Sequence, residues 1–442
     1  MRRPQVALIP ALAVGILALG LASCGGDDDD GDATAVKAVD ANCSDVEHEG
    51  EGDPSALIVS DLPLQGDSAE RSAQMNDAIR QELDGSDWTA GSTKVAFQAC
   101  DDSIEATGEW DEGVCRSNAT AYAENSDVVG VIGTYNSGCA AEMIPILNQA
   151  PDGGVAMISP GNTLVCLTET ASTCKRDEPD VYYPSGNRNY ARVVPNDASQ
   201  GAGLASFAKD AGVRSAFILI APDDPTSEGQ GRTFEGAARA LGIQIAGVEH
   251  YDLEANSYAD LMQKVKASGA DAVFLGAILE ENGAQLIKDK VAVLGPNDGR
   301  VKLFAPDGFA QQSTIDQAGP DSAGMFVGLP GKTPETLTGP GAELVQQLEE
   351  EAGDQPVEVF APYAGQAAAV LLEAIGTGQD RAGTIGAVFQ TDVTDGTIGS
   401  FAITPTGDPT PAPVSVLKAA DTFELEKAIV PPKRLIAAAR GG

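Results

Sequence analysis

From Ala56 onward, short apolar runs alternate with amphipathic stretches. ALIVSDL (56–62), KVAFQAC (94–100), DVVGVIG (127–133) and GGVAMISP (153–160) are apolar runs of strand length. AERSAQMNDAIRQELDG (69–85) and EWDEGVCRSNATAYAEN (109–125) lie between them and predict helices. The pattern then breaks over a polar, irregular stretch at 166–189. A second series follows, with strands predicted at 215–224, 243–252, 271–278, 302–308 and 323–329. Its helices are predicted at 228–242, 257–269 and 282–295, and a long one at 360–378. Strands alternating with helices at this spacing predict parallel sheets built from βαβ units. Two series separated by a polar break predict two such sheets.

In an open parallel sheet, ligands sit beyond the carboxyl ends of the strands. Helix starts at that edge offer free N–H groups and a positive dipole end, which suit a carboxylate or phosphate. The segments that follow strands here are 64–68, 135–138, 159–163, 223–227, 278–281 and Asp307. In GTYNSGCA (133–140), small and polar residues stand between an apolar strand and a helix start. Ser137 and Thr163 are also good helix caps, and Asp307 sits in a P-D-G turn sequence.

Composition narrows the class. A chain of 442 residues exceeds one compact core and suits two lobes. Arg2 and Arg3 precede an apolar run at 6–21, and Leu21, Ala22 and Ser23 precede Cys24. That order looks like a bacterial lipobox, so residues 1–23 are expected to be a signal peptide and Cys24 to be lipidated. Residues 24–42 then read as an acidic tether, too polar and glycine-rich to bury anything. Acyl chains on Cys24 would hold the chain at the bacterial cell membrane from outside the cytoplasm. The net charge of −37 disfavours nucleic acid as a partner.

Six further cysteines remain: Cys43, Cys100, Cys115, Cys139, Cys166 and Cys174. An even number in an exported chain predicts three disulfides. Cys166 and Cys174 enclose a short loop and are the natural pair, while the other four allow three connectivities. Metal ligation is the weaker reading, because no C-x₂-C pair exists and His48 and His250 are the only histidines.

Enzyme signatures are missing. There is no G-x-S-x-G elbow and no H-E-x-x-H. LPGKT (329–333) resembles a P-loop tail, but Phe326 stands where its first glycine belongs. GQG (229–231) is too short for a dinucleotide fingerprint. A serine–histidine triad would rest on His250, at a strand end where histidines are usually structural. The chain is therefore expected to be no enzyme and to need no cofactor.

The strings SDLPLQG, CDDS, GTYNSGCA, ISPGNT, ARVVPNDASQG and FAPDGF, with the two series and the lipobox, resemble the type I periplasmic-binding family. The branched-chain amino-acid (Leu/Ile/Val) binding branch is the closest, and the resemblance runs from about Cys43 to the C-terminus. It implies an α/β fold of two Rossmann-like lobes with parallel sheets joined by three crossover strands. Crossings are expected near 192–196, 305–309 and 388–396. Lobe 1 is then 43–193 plus 308–390, and lobe 2 is 196–305 plus 396–442.

The resemblance also implies a function: a monomeric solute-binding protein that delivers a small amino-acid-like ligand to ABC permease subunits. A ligand-sensing receptor without a permease is the alternative. In amino-acid-binding members, the loop after the third strand and the loop after the next hold the ligand carboxylate. An acid at the second crossover takes the ammonium. Carried over, these are Asn136, Ser137 and Gly138, then Ser159, Asn162 and Thr163, and Asp307. The family's disulfide habit implies Cys100–Cys139 here, with Cys43–Cys115. The sequence departs from the family where aromatic side chains usually meet the ligand: 64–71 has none, and Thr226, Ser227 and Ile278 stand where tyrosines are common.

Overall fold

The computed structural model describes residues 36–222, 224–353 and 355–441. The expected signal peptide, Cys24, most of the tether and Asp223 lie outside them. Among the described residues no helix is long and apolar enough to cross a membrane.

The first series forms β1 (Ala56–Leu62), α1 (Ala69–Gly85), β2 (Thr89–Ala90), β3 (Thr93–Asp101), α2 (Glu112–Glu124), β4 (Val128–Gly133), α3 (Ser137–Asn148), β5 (Ala156–Ser159) and β6 (Tyr190–Arg192). Its sheet runs β2-β3-β1-β4-β5-β6. Every pairing is parallel except the short β2 edge. Ile58, Val59, Val131 and Ile132 are completely buried. That accounts for the unbroken apolar runs: helices cover both faces, so neither face needs polar residues.

The chain then enters α4 (Asp197–Asp210), β7 (Ser215–Ile220), α5 (Pro225–Ala240), β8 (Gln244–His250), α6 (Ala259–Ser268), β9 (Ala272–Gly276), α7 (Gly283–Leu294), β10 (Lys302–Ala305), α8 (Gln312–Ala318) and β11 (Phe326–Pro330). Next come α9 (Pro340–Ala352), α10 (Ala361–Gly378) and α11 (Arg381–Val388), then β12 (Asp392–Gly396), β13 (Gly399–Ile403) and β14 (Pro409–Thr410). Last are β15 (Val414–Ala419), β16 (Phe423–Ile429) and α12 (Lys433–Arg440). The second sheet runs β16-β15-β11-β10-β9-β7-β8, and a small third sheet runs β12-β13-β14. In the second sheet, β15 and β16 are antiparallel, closing an otherwise parallel sheet.

The expected boundaries move in three places. Residues 308–330 were assigned to lobe 1, but α8 packs on α7 and β11 pairs with β10 in the second sheet. The chain therefore leaves that sheet after Pro330 rather than at 305–309. Gly331 sits there at φ +123°, and a Cβ on it would fall 1.9 Å from the Tyr363 hydroxyl. Tyr363, on α10, accepts from Lys332 N–H at 2.5 Å and donates to Lys332 O at 2.9 Å. Helices α10 and α11 return to the first sheet, where Arg381 donates to the carbonyls of Val128 and Asn125. Residues 396–410 belong to the third sheet rather than directly to lobe 2. That sheet is tied to the first crossing: Arg192 N–H donates to Gly407 O, and Arg192 pairs with Asp408 at 3.1 Å. Third, the tether ends before Val36. Val39 is buried and donates to Gln98 Oε1 at 2.9 Å, and Lys37 N–H donates to Asp127 at 2.7 Å.

The disulfides differ from the expected pairing. Cys43 bonds Cys100, Cys115 bonds Cys139, and Cys166 bonds Cys174. Only the last matches expectation. Residues 43–47 form antiparallel bridges to β3, which brings Cys43 beside Cys100. Helices α2 and α3 pack side by side, which leaves Cys115 and Cys139 facing each other.

Candidate functional site

The loop between β4 and α3 is fixed from behind. Ser159 Oγ donates to Thr134 O at 2.9 Å and accepts from the N–H groups of Gly161 and Asn162. Asn162 Nδ2 donates to the carbonyls of Thr134 and Tyr135, each at 2.9 Å. Tyr190 in turn donates to Asn162 Oδ1 at 3.0 Å. Ser137 Oγ accepts from the N–H groups of Thr163 and Leu164 at 3.2 Å, which keeps its own proton for another partner. One buried network thus locks the two loops together.

A narrow pocket of about 30 Å³ opens in front of them. Asn136, Ser137, Gly138 and Thr163 line one side; Asp224, Gln230, Ile278 and Asp307 line the other. It joins residues that follow strands of both sheets. A wider cavity of about 770 Å³ shares Trp110, Asn136, Asp224 and Ile278 with it and reaches Glu280 and Asn282. Five of the seven expected site residues therefore meet at one pocket. Ser159 and Asn162 do not line it; their side chains are used up holding Thr134 and Tyr135.

The two sides have opposite polarity. The first turn of α3 leaves N–H groups without helical partners at the dipole's positive end. Opposite, Asp307 is 4% exposed and accepts from Gln200 Nε2 at 2.5 Å and Gln230 Nε2 at 3.4 Å. Burial pushes its carboxyl up to about 6, against the pull of the Gln200 bond. Asp197, whose N–H donates to Thr163 O, is also raised well above its ordinary value, by burial first and then by repulsion from Asp307.

Several residues at this place were missed by sequence reasoning. Trp110 and Tyr135 both line the narrow pocket, so aromatic side chains are present after all. Trp110 comes from the loop after β3 rather than from 64–71. It lies so close to α3 that a Cβ on Gly138 would fall 2.4 Å from its ring. Its proximity to GTYNSG across 25 or so residues has no local sequence signal.

Arg71 is the other. It is 2% exposed, and its guanidinium sits 4.4 Å from the Tyr135 ring centre. Glu358 approaches it at 3.8 Å, while its Nε and Nη2 have no hydrogen-bond partner. Burial disfavours its charge, but Tyr135, Glu358, Glu280 and Asp307 outweigh that and hold it above its ordinary value. A lone arginine in a helix pattern gave no warning of this. His250 stands elsewhere, with Nε2 2.7 Å from Glu228 at the surface.

Comparison with known proteins agrees with this architecture. The family model for periplasmic binding proteins matches residues 92–422. The leucine-specific-binding protein of Salmonella typhimurium is 22% identical over 225 residues, 50% of this chain and 55% of that protein. The chain thus spans about half the length of that relative. Among solved structures, the leucine binding protein LivK of Thermotoga maritima superposes with a TM-score of 0.72 at 20% identity, covering 85% of this chain and 99% of that one. A Streptococcus pneumoniae LivJ in complex with isoleucine gives 0.69 at 14% identity, over 85% and 99%. An R. palustris solute binding protein in complex with benzoate gives 0.68 at 16%, over 85% and 97%.

Proposed function

The chain belongs to the periplasmic binding protein family, and from that premise we propose that it captures a small amino-acid-like ligand outside the cytoplasm for an ABC importer. It does no chemistry on the ligand. The ligand's carboxylate sits at the N-terminus of α3, against Asn136, Ser137, Gly138 and Thr163. Its ammonium sits at Asp307. Ser159 and Asn162 support the carboxylate side without touching it. The convergence of a helix N-terminus and a buried acid on one pocket, from two different sheets, carries this reading. A zwitterion held from both sides favours the closed arrangement, because only that arrangement makes both sets of contacts. Cys24 provides the membrane anchor, and the permease reads the closed form.

The neighbours' ligands, leucine, isoleucine and benzoate, support an acid group as the common feature. The test is a thermal-shift panel of amino acids on the full-length chain in detergent. At least one amino acid should raise Tm by several degrees, and Ser137→Ala with Asp307→Ala should abolish that rise. A double variant with unchanged affinity would place the site elsewhere.

A further inference from the structure

Two glutamine side chains share the Asp307 carboxylate, and they are not alike. Gln200 is saturated: its Nε2 donates to Asp307 Oδ1 at 2.5 Å, and its Oε1 accepts from the Asp307 N–H at 3.1 Å. Gln230, 3% exposed on α5, turns its Nε2 to the same Oδ1 at 3.4 Å. Among the described residues, its Oε1 has no hydrogen-bond partner. Gln230 lines the narrow pocket beside Asp307, whereas Gln200 lies behind it. From the proposed amino-acid reading of that pocket, we infer that Gln230 is a further ligand-binding residue. Its Oε1 is a second acceptor for the ligand's ammonium, beside Asp307, and it selects a cationic nitrogen that carries at least two N–H donors.

The orientation of the Gln230 amide is dictated by its neighbour. A flipped amide would set Oε1 against the ionised Asp307 carboxylate, two acceptors with no proton between them. With Nε2 committed to Asp307, Oε1 is left for another donor. The backbone also holds the residue in place. A Cβ on Gly231 would fall 2.7 Å from Ile220, and one on Gly276 would fall 2.7 Å from Ser227 O, so α5 is pressed onto β7 and β9. Thr233 Oγ1 donates to the Gln230 carbonyl at 3.1 Å. A buried amide oxygen without a donor is costly, and the pocket is where a donor can reach it. The nearby acids decide which donor. Asp224 lines the same pocket, but its Oδ1 already accepts from the N–H groups of Thr226 and Ser227 at the start of α5. Asp224 and Asp307 together favour a positive group beside Gln230. A ligand hydroxyl brings one donor to two acceptors, while an ammonium brings three.

The experiment titrates L-leucine, L-glutamine, L-arginine and L-glutamate calorimetrically into full-length wild type, Gln230→Met and Asp307→Asn. The tightest binder is then compared, by competition, with its deaminated analogue, 4-methylpentanoate in the case of leucine. Gln230→Met should weaken the amino acid about tenfold or more, as for a lost hydrogen bond to a charged group. It should weaken the deaminated analogue by no more than about twofold, because the coupled partner is already gone. Gln230→Leu should reproduce that split. In the wild type, N,N-dimethylation of the amino acid leaves one N–H and should weaken binding about tenfold beyond N-methylation, which leaves two. Equal weakening of the amino acid and its deaminated analogue would make Gln230 a shaping residue and overturn this inference. So would a variant that binds the amino acid as wild type does, or a dimethylated form that binds as well as the monomethylated one. Weakened binding by Asp307→Asn would then leave the amino-acid reading standing. No heat from any of the four amino acids on the wild type would overturn both.

Discussion

Asp307 is ionised only at a cost, and on the proposed reading that cost sets a pH limit on binding. Its carboxyl lies at about 6 in the free protein because it is buried. An ammonium needs the carboxylate, so affinity should hold above pH 6 and fall about tenfold per unit below it, as expected for one proton. Calorimetry from pH 7.5 to 4.5 checks this, and Asp307→Asn should flatten the profile as well as weaken binding. The structure brings Asp307 and Ser137, expected from the family resemblance and from strand-end loops, to one pocket. No such expectation named Trp110 and Arg71. Each reaches the site across the fold, and local sequence records neither the stacking of Arg71 on Tyr135 nor the seat of Trp110 on Gly138. The side chains of Ser159 and Asn162 turn to hold Thr134 and Tyr135 rather than line the pocket, and sequence does not say which way a side chain turns.

At the scale of elements, the strands and helices of the alternating series were legible because burial on both sheet faces leaves unbroken apolar runs. The limits of β1 and α1 follow directly from the pattern. The three-residue β6 and the buried, antiparallel β15 were not legible because neither is long enough or periodic enough to stand out, and β16 and β12 were not because their mixed burial gives no clean period. The crossing expected at 305–309 follows from the family resemblance and not from the chain's own pattern; β11 adds a further strand to the second sheet before the chain leaves it. Three predictions belong here. Gly331→Ala should cost at least about 2 kcal/mol in chemical denaturation, since it adds both a positive-φ penalty and a clash with Tyr363. Replacing Cys115 and Cys139 by alanine opens a loop of sequence separation 24, which should cost about 3 kcal/mol. Non-reducing peptide mapping should recover Cys43 with Cys100; recovery of Cys100 with Cys139 would contradict the packing of residues 43–47 on β3.

For the whole molecule, several carboxyls are raised in the folded state. Burial raises Asp61 to about 7 despite bonds from Tyr122 and Asn118, and Glu281 to about 8. Lys290, lowered to about 7 by burial, opposes this at the upper end; below about pH 7 the folded chain therefore binds more protons than the unfolded one, and stability should rise as pH falls from 7 toward 4. Denaturation midpoints at pH 7 and pH 5.5 check the sign. On the proposed reading, the ligand's ammonium would bring positive charge to Asp307 within this accumulation of negative charge. The measurement that bears most directly on this account compares one bound amino acid with its two truncated forms by calorimetry. The amino acid that binds best to the full-length chain is titrated beside its decarboxylated and its deaminated analogue. Loss of either group should weaken binding at least a hundredfold, because each lobe then loses its partner. A deaminated analogue that binds as well as the parent would contradict the assignment of Asp307 and, with it, closure around a zwitterion.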